Sequence, residues 1–311
     1  MKDNPMGAVF TDDLVRCECC PRQCRVDRTR GELGFCRIPA AAAVSHIGLH
    51  FGEEPPISGA RGSGTIFFAG CNLHCVFCQN FQISQEFNLA ATRQLTPAEL
   101  AAAMLDLEAR GAHNINFVSP SHMIFQMADA IVAARGKGLA IPIVYNSNGY
   151  DSVATLRRIK GMVDIYLPDI KYSDDQLGKS LSGVADYRSV VYGVLNEMLG
   201  QVGHLETDAD GVAKSGLLVR HLVLPGRLEN SRGCLEILRK LSRNTFVSIM
   251  SQYSPQYRAV DHPLIGRRLR LEEYEQITAC ALELGLENAF VQELESQDTY
   301  LPDFERDRPF K

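Results

Sequence analysis

The chain of 311 residues lacks several features that would each point to a class of protein. No stretch approaches the roughly 20 consecutive apolar residues that span a bilayer, so we expect no membrane partner. Positive charge is not in excess, because the formal net charge is −5. This argues against a nucleic-acid partner, which usually requires a basic stripe. Tryptophan is also absent, but its absence excludes nothing.

The N-terminus, Met1-Lys-Asp-Asn-Pro-Met6, lacks the apolar core and small-residue cleavage site of a secretory signal. The sequence nevertheless has ten cysteines. Without export, thiols remain in a reducing compartment, where they bind metals rather than form disulfides. We therefore predict a cytoplasmic protein whose cysteines serve metal chemistry.

The sequence divides into three zones that differ in composition and periodicity. Residues 1–60 are rich in Cys, Arg, Gly and Pro and predict a small cysteine-rich metal-binding segment. Residues 61–255 alternate apolar runs of strand length with amphipathic stretches of helix length. Residues 256–311 hold one helical segment and an irregular, charged tail. The central zone is long enough for one large α/β domain.

This central zone predicts six β/α repeats. Thr96 and Glu99 form a capping box at the start of one helix, with Pro97 in its first turn. Alternating strands and helices imply a parallel sheet, and six units are too few for an eight-stranded barrel. We therefore predict an α/β fold, a partial (β/α)6 TIM-like barrel, with ligands at the carboxyl ends of its strands. The predicted strands are 65–69, 114–118, 142–145, 163–167, 217–224 and 245–249.

A short loop after the first predicted strand carries three cysteines in a C-x3-C-x2-C pattern, Cys71, Cys75 and Cys78. Thiolate is the ligand of iron–sulfur clusters, and a cubane has four irons, so three thiolates leave one iron open for a substrate or cofactor. The alternative is a structural zinc site in which His74 supplies the fourth ligand. Zinc sites usually draw their ligands from two separated pairs, whereas these candidates lie within eight residues.

The spacing of these cysteines, with the aromatic Phe77 before the last one, resembles the signature of the radical S-adenosylmethionine (SAM) superfamily. The resemblance implies that the three cysteines hold a [4Fe–4S] cluster whose open iron binds SAM. It also implies that the reduced cluster cleaves SAM into methionine and a 5′-deoxyadenosyl radical. A one-electron reductant such as flavodoxin or ferredoxin would then be a partner.

Polar residues follow several predicted strands, where the rim of the barrel should lie. Their side chains can hold a cofactor, although capping turns, surface ion pairs and satisfied core histidines explain them as well. Alternation along the fifth strand places Arg220 and His221 on opposite faces, so at most one of them faces the barrel interior. The predicted cofactor-binding residues are Asn116, Ser119, Asn146, Asn148, Asp169, Lys171 and His221.

These motifs together resemble the activating enzymes of glycyl radical enzymes, typified by pyruvate formate-lyase activating enzyme. The resemblance implies that Asn146 and Asn148 face the ribose of SAM and that Asp169 and Lys171 line the SAM or substrate site. It also implies a glycyl radical enzyme as a partner. The likeness covers about residues 64–255 and includes the segments 148–150, 164–171 and 223–226.

Three strand ends depart from the activase pattern. The Gly-Gly-Glu that binds the amino group of SAM is replaced by Val118-Ser-Pro-Ser-His122, which has no carboxylate. Asn146 stands where the activases have an Asp, and Ser251-Gln-Tyr-Ser254 stands where they have a Pro-Tyr-His. A closer match over nearly the whole chain is an activase-like iron–sulfur branch of the superfamily, which shares the segments 52–59, 62–68 and 300–304.

A second group of cysteines follows a C-x2-C-x3-C-x11-C pattern and leaves Cys19 over. Four thiolates close a metal site completely, and both structural zinc and an auxiliary iron–sulfur cluster accept four cysteines. Thiols without a metal are the third interpretation. The sequence therefore predicts a second site, for zinc or an iron–sulfur cluster, at Cys17, Cys20, Cys24 and Cys36.

These features predict a radical SAM enzyme that abstracts hydrogen from a substrate, with its catalytic cluster on Cys71, Cys75 and Cys78. In the leading form the substrate is a glycyl residue of a separate enzyme, because nothing in the chain looks like a glycyl-radical loop. One alternative is an enzyme that acts on a small molecule or a different peptide residue. Another is a non-catalytic iron–sulfur or zinc scaffold, which would not cleave SAM.

Overall fold

The computed structural model describes residues 10–293, 301–306 and 309–310, which form a twisted sheet flanked by helices. No helix in this part of the chain is long and apolar enough to cross a membrane. The strands are β1 (Ala42–His50), β2 (Ser63–Phe68), β3 (Arg93–Leu95), β4 (Ile115–Val118), β5 (Ile143–Asn146), β6 (Ile165–Tyr166), β7 (Glu206–Thr207), β8 (Ala213–Leu222), β9 (Phe246–Met250) and β10 (Ala289–Val291). The helices are α1 (Pro55–Ser58), α2 (Phe81–Ser84), α3 (Pro97–Ala109), α4 (Ile124–Arg135), α5 (Val153–Arg158), α6 (Asp175–Ser182), α7 (Tyr187–Val202), α8 (Leu228–Leu241) and α9 (Leu271–Glu283).

Most neighbouring strands of this sheet run parallel. In the described part of the chain, seven parallel strands follow the spatial order β10-β9-β8-β6-β5-β4-β2. β1 pairs antiparallel with β2 and β3 pairs antiparallel with β1, while β7 forms a short antiparallel pair with β8. β3 and β10 stand at the two ends of the strand order, so the barrel is open. The predicted α/β fold with a partial barrel is confirmed.

The six predicted strands are present as β2, β4, β5, β6, β8 and β9. β2 is buried over its whole length, as expected for a parallel strand that is covered on both faces. At the start of α3, the Thr96 side chain accepts from the backbone N–H of Glu99. The Glu99 carboxylate in turn accepts from the backbone N–H of Thr96 at 2.8 Å, so the predicted capping box is confirmed.

Two strands lie outside the zone that the sequence pattern assigned to the barrel. β1 falls within residues 1–60, and it pairs along β2 from Val44 to His50. β10 follows α9 in the C-terminal zone and pairs parallel with β9. β10 has only the three residues Ala289–Val291, and an apolar run this short is below the length at which periodicity indicates a strand.

C-terminal residues cover the side of the barrel next to β2. The ring of Phe67 lies 5.3 Å from that of Phe304 and 5.4 Å from that of Phe310. The backbone N–H of Phe304 also donates to Gln82 Oε1 at 2.9 Å. These aromatic contacts stabilise the packing of the C-terminal residues against β2. Tyr300, the first residue of the tail shared with the activase-like branch, lies outside the described residues.

The cysteine-rich segment is built from turns, including the 3-10 turns Thr11–Leu14 and Arg28–Arg30. It packs against the outside of the barrel. Phe10 stacks on Phe125 of α4 with ring centroids 5.3 Å apart, and Arg158 of α5 forms an ion pair with Asp13. A segment this short cannot bury an apolar core of its own, so it depends on the barrel and on its cysteines.

Candidate active site

The loop after β2 carries Cys71, Cys75 and Cys78, and all three line a cleft of about 210 Å³. Gly70 precedes the loop with a φ of +73°, and a Cβ at this position would lie 2.5 Å from the backbone oxygen of Cys36. Glycine is therefore required here, because a side chain would be both strained and blocked. The turn at Gly70 brings the loop out of the strand and against the cysteine-rich segment.

Each of the three thiols has a hydrogen-bonding neighbour. Donors next to sulfur favour the thiolate, which is the form that binds iron. One of these neighbours lies in the cysteine loop itself and the other three lie in α2, α6 and the loop after β5, so the thiols are positioned by the tertiary fold. The contacts are Leu73 N to Cys71 Sγ at 3.4 Å, Asn148 Nδ2 to Cys71 Sγ at 3.4 Å, Ser182 Oγ to Cys75 Sγ at 2.8 Å, and Ser84 Oγ with Cys78 Sγ at 3.2 Å.

Without a metal the three sulfurs hold their protons. Burial raises the pKa of the Cys71 thiol to about 12 and that of the Cys75 thiol to about 11. The thiols also oppose one another's ionisation, because like charges would gather in a space with little water. A positive centre among them reverses this effect, since metal-bound thiols lose their protons.

This donor set fits a [4Fe–4S] cluster with one open iron. No fourth cysteine lines the cleft in the part of the chain that the structure describes. His74, the fourth ligand of the zinc alternative, instead stacks on Phe35 with ring centroids 4.0 Å apart. Within residues 10–293, 301–306 and 309–310, no three His, Cys, Asp or Glu side chains are gathered closely enough to hold one metal ion, and this applies to both cysteine groups alike. Because His74 packs against Phe35 and no fourth cysteine lines the described cleft, the loop suits a cluster better than a single zinc ion.

The floor of the cleft holds a chain of buried charges. Lys171 Nζ lies 2.6 Å from Asp169 Oδ2, and Arg220 Nε lies 2.9 Å from Asp169 Oδ1. Arg220 Nη1 is also 3.3 Å from Glu53 Oε2. The four side chains are between 7% and 17% exposed. Water therefore screens these ion pairs much less than pairs at the surface.

Glu53 reaches this network from the loop after β1. Its Oε1 accepts from Asn116 Nδ2 at 3.0 Å and from Asn146 Nδ2 at 3.3 Å. Arg220 also donates to Asn146 Oδ1, so the amide of Asn146 bridges the two charged side chains. Asn116 is fully buried beneath Glu53 and does not itself line the cleft. The carboxylate that is missing after β4 is thus present in the cleft, but it comes from Glu53.

The ion pairs of this network shift the pKa values of the side chains that form them. Burial alone would raise the pKa of Asp169, but Arg220 and Lys171 outweigh it and hold that pKa below its usual range. Burial would lower the pKa of Lys171, yet Asp169 and Cys75 hold it above its usual range. Burial raises the pKa of Glu53, and Arg220 offsets only part of that effect. Asp169 and Lys171 are therefore charged at neutral pH and can orient a zwitterionic group.

The loops after β4 and β5 bring further polar groups to the cleft. Ser119 lines it with a φ of +57°, a conformation that is uncommon outside glycine and concentrates at functional sites. Asn148 Nδ2 donates to Asn72 Oδ1 at 2.7 Å as well as to Cys71. Gly149 has a φ of +77°, and a Cβ there would lie 2.1 Å from the backbone oxygen of Asp169. Five predicted residues thus reach the cleft wall: Ser119, Asn146, Asn148, Asp169 and Lys171.

His221 does not lie in the cleft. It is fully buried, with Nδ1 2.7 Å from the Ile170 oxygen and Nε2 2.9 Å from Ser231 Oγ. Alternation along β8 instead turns the neighbouring Arg220 towards the interior. We therefore correct the prediction that His221 contacts the cofactor, because both of its ring nitrogens are already bonded within the core.

Several residues of the site were absent from the sequence prediction, among them Glu53, Ser182 and Arg220. Arg220 could have been predicted, because a charged residue inside an apolar strand indicates a buried ion pair. Nothing in the local sequence indicates a role for Ser182 or Glu53. Ser182 meets Cys75 across 107 positions, and Glu53 meets Arg220 across 167 positions, so only the folded chain reveals either contact.

The predicted second group of cysteines lines a separate cavity of about 10 Å³. Cys19, left over in the sequence pattern, lies there as well, with its sulfur 3.5 Å from Cys17 Sγ. Asn72 also lines this cavity, while the adjacent Cys71 lines the cleft. The loop after β2 therefore separates the two groups of thiols.

Comparisons with known proteins agree with this geometry. Residues 65–196 match the radical SAM superfamily. An uncharacterized protein of Methanocaldococcus jannaschii, MJ0674, is 33% identical over 275 residues, which cover 86% of this chain and 74% of that protein. A second protein of the same organism, MJ0808, is 26% identical over 315 residues, covering 94% and 86%. The chain belongs to one family with MJ0674, and its residues 65–196 match the radical SAM superfamily. That match implies a [4Fe–4S] cluster and SAM as cofactors.

Among solved structures, the chain is similar to Streptococcus suis SuiB bound to the precursor peptide SuiA. The TM-score is 0.50 at 13% sequence identity, with 75% of this chain and 49% of that chain covered. The chain thus spans about half the length of SuiB. At this identity the likeness concerns the fold alone, and it agrees with the open α/β barrel described above.

Proposed function

We propose that this protein is a radical SAM enzyme acting on a peptide or protein, in the leading case on a backbone glycine of a separate glycyl radical enzyme. Three thiols with hydrogen-bonding neighbours on the wall of the cleft carry the assignment of the active site. No fourth cysteine is present among the described residues of that wall. An open iron follows from this count, and a scaffold has no use for one.

A bound [4Fe–4S] cluster would pass an electron from a flavodoxin- or ferredoxin-like reductant to SAM, which would split it into methionine and the radical that takes a hydrogen atom from the substrate, leaving 5′-deoxyadenosine. Cys71, Cys75 and Cys78 hold the cluster in this proposal. Ser182 and Asn148 stabilise two of the ligating sulfurs by donating hydrogen bonds to them.

The floor of the cleft orients charged groups. Lys171 offers an ammonium and Asp169 a carboxylate, and their mutual pairing fixes both side chains before a ligand arrives. Arg220 forms a second ion pair with Asp169, and it donates a hydrogen bond to Asn146 Oδ1. A group with one amine and one carboxylate, such as the methionine moiety of SAM, matches this arrangement.

Support for a peptide substrate comes from the rim. Three glutamines line the cleft there, Gln79, Gln252 and Gln292. Carboxamides carry both donors and acceptors and can pair with the backbone of an extended peptide. The structurally similar SuiB has been seen bound to a precursor peptide, which agrees with such a role for an open barrel of this shape.

A small zwitterionic substrate is the second candidate. It is favoured by Lys171 and Asp169, because this pair could recognise the amine and carboxylate of an amino acid if SAM were held elsewhere in the cleft. The two candidates differ in the size of the substrate, so they can be separated by fractionation.

The test measures 5′-deoxyadenosine formed by the reconstituted, reduced enzyme with SAM, after addition of fractions of a native extract. A protein fraction that raises the rate and loses this effect after protease treatment supports the proposal. Stimulation by the small-molecule fraction alone would replace the peptide with the second candidate. The glycine assignment further requires an organic radical in the stimulating protein, observed by electron paramagnetic resonance. A Lys171→Met variant serves as the matched control, since it should lose stimulation by either fraction.

A further inference from the structure

The N-terminal segment gathers five cysteines around one small cavity, Cys17, Cys19, Cys20, Cys24 and Cys36. None of them forms a disulfide, and all but Cys24 are buried. The cavity of about 10 Å³ has room for about one water molecule, so no organic molecule fits among the sulfurs. Gly34 allows the backbone to pass close to Cys24, because a Cβ at this position would lie 2.9 Å from Cys24 Sγ.

Two of the five sulfurs accept hydrogen bonds from N–H donors. The backbone N–H of Phe35 donates to Cys24 Sγ at 3.3 Å, and Arg28 Nη1 donates to Cys17 Sγ at 4.0 Å. Such donors stabilise an ionised sulfur and tune thiolate-ligated metals.

Cys19 differs from these two cysteines. Its sulfur donates to the backbone oxygen of His122 at 3.8 Å. A sulfur that donates a hydrogen bond carries a proton and is a thiol, whereas a metal ligand is a thiolate. The hydrogen bonds thus distinguish the acceptors Cys17 and Cys24 from the donor Cys19.

A buried cation stands beside the same sulfurs. Arg28 is 1% exposed, and its guanidinium donates to the Pro39 oxygen at 2.7 Å and to the His122 oxygen at 2.8 Å. It also lies 4.0 Å from Cys17 Sγ. No carboxylate lines the described part of this cavity, so the thiols are the groups there that can become anionic. A buried charge needs an opposite charge nearby, and a four-thiolate metal centre with net negative charge supplies it.

We propose that Cys17, Cys20, Cys24 and Cys36 hold a second metal centre of the four-thiolate class, to which structural zinc and iron–sulfur clusters both belong. Cys19 stays a thiol beside this centre, and Arg28 balances its negative charge. The sulfurs are not already at single-ion spacing in the described structure, so binding draws them together or places a cluster between them. The inference does not depend on the SAM chemistry of the cleft.

His122 supplies the competing ligand. It lines the same cavity, and its Nδ1 is buried without a hydrogen-bond partner, while its Nε2 lies 2.7 Å from the Ala69 oxygen. An imidazole nitrogen is a good zinc ligand. A centre with three cysteines and His122 would therefore contradict the all-cysteine assignment, and the coordination shell distinguishes the two.

The test uses the full chain carrying Cys71→Ala, Cys75→Ala and Cys78→Ala, which removes the ligands of the cleft. Zinc, iron and sulfide are measured per chain, as isolated without oxygen and after reconstitution with iron and sulfide. We expect one zinc ion or one iron–sulfur cluster per chain. X-ray absorption at the matching edge should show only sulfur ligands from the protein, at about 2.3 Å for zinc. Either metal supports the proposal, and the two edges tell them apart.

Added substitutions identify the ligands. Cys36→Ser or Cys20→Ser in the same background should lower the metal content at least tenfold, whereas Cys19→Ser should leave it unchanged. Absence of metal from both preparations of the triple variant would overturn the proposal. A nitrogen ligand in the absorption spectrum, or equal metal loss in the Cys19→Ser and Cys36→Ser variants, would overturn the ligand assignment. Because the spectrum is recorded with all five N-terminal cysteines intact, misfolding of a variant cannot mimic that result.

Discussion

The two cysteine groups of this protein place the same side chain in opposite settings. The loop after β2 presents three thiols to a cleft of about 210 Å³, whereas the N-terminal segment presents five thiols to a cavity of about 10 Å³. The first setting leaves a coordination position and room for an organic cofactor, and the second leaves neither. Ligand number and the space beside the ligands therefore separate a reactive centre from a closed one.

The two groups also differ in how their sulfurs are supported. In the cleft, side chains from distant parts of the chain, such as Ser182 and Asn148, donate to the sulfurs. In the N-terminal segment the donors belong to the segment itself, with Phe35 N bonded to Cys24 and Arg28 Nη1 to Cys17, each 11 positions away. The cleft can thus be altered by one side-chain change, whereas the N-terminal group depends on its turns and on its own cysteines.

The largest expected effect comes from the cleft. Cys75→Ala should reduce 5′-deoxyadenosine formation to background, because the cluster loses one of its three ligands. Cys280→Ala, at a buried helical cysteine of α9, serves as the control and should keep the wild-type rate. The assay is mass spectrometry of the reduced enzyme with SAM. A Cys75→Ala protein that cleaves SAM at the wild-type rate would remove the distinction between the two groups.

The next effect concerns stability. Cys36→Ser should lower the melting temperature of the metal-loaded protein by more than about 10 °C. Loss of a metal site costs more than about 4 kcal/mol, and each kcal/mol corresponds to about 2–4 °C in a domain of this size. Cys19→Ser should shift the midpoint by only about 2–4 °C, as expected for a substitution near 1 kcal/mol at a buried residue that is not a ligand. Differential scanning calorimetry of both variants checks this, and equal shifts would argue against a closed four-cysteine centre.

Arg220→Met tests the charged floor of the cleft. The change leaves Glu53 buried without its cation and Asp169 with Lys171 alone, and loss of a buried partner costs about 3–5 kcal/mol. Arg157→Met is the matched control, since Arg157 is 66% exposed in its ion pair with Glu197 and such a pair contributes about 1 kcal/mol or less. Urea unfolding measures both. A similar small loss in the two variants would mean that the floor is not held by its charges.

The smallest expected effect concerns His221, and it is a pH dependence of the unfolding free energy. Burial lowers its pKa to about 4, so the folded protein keeps His221 neutral while the unfolded chain binds a proton near pH 6.5. Its contribution to stability is complete above pH 6.5 and falls as the pH drops towards 4. The slope is at most about 1.4 kcal/mol per pH unit. The difference in unfolding free energy between wild type and His221→Gln should therefore shrink by about 3 kcal/mol over that range.

The same variant separates a core role from a cofactor role. His221→Gln should leave the KM for SAM unchanged once the protein is folded, because His221 does not line the cleft. A large rise in that KM, with no change in the pH dependence of stability, would restore the original prediction that His221 contacts the cofactor.

Local sequence predicted what depends on local structure. The Cys71 loop, the strands before it and after it, and the capping box at Thr96 were all readable, because each depends on residues a few positions apart. The position of Asn148 beside the cysteines also followed from the rule that parallel strands end at one rim.

Contacts across the chain were not readable. Alternation showed that Arg220 and His221 face opposite ways, but only the folded barrel shows which face is interior. The meeting of Glu53 with Arg220, and of Arg28 with His122, joins residues 167 and 94 positions apart. No periodicity records such a pairing, because it arises from packing of separate elements.

The most direct test of the account is whether the wild-type protein cleaves SAM. The chain is reconstituted with iron and sulfide without oxygen, reduced in the presence of SAM, and assayed for 5′-deoxyadenosine by mass spectrometry. The account predicts that 5′-deoxyadenosine forms only with reductant present and disappears in the Cys71→Ala, Cys75→Ala, Cys78→Ala variant. A fully loaded cluster that leaves SAM intact under these conditions would contradict the account and favour a metal-binding scaffold.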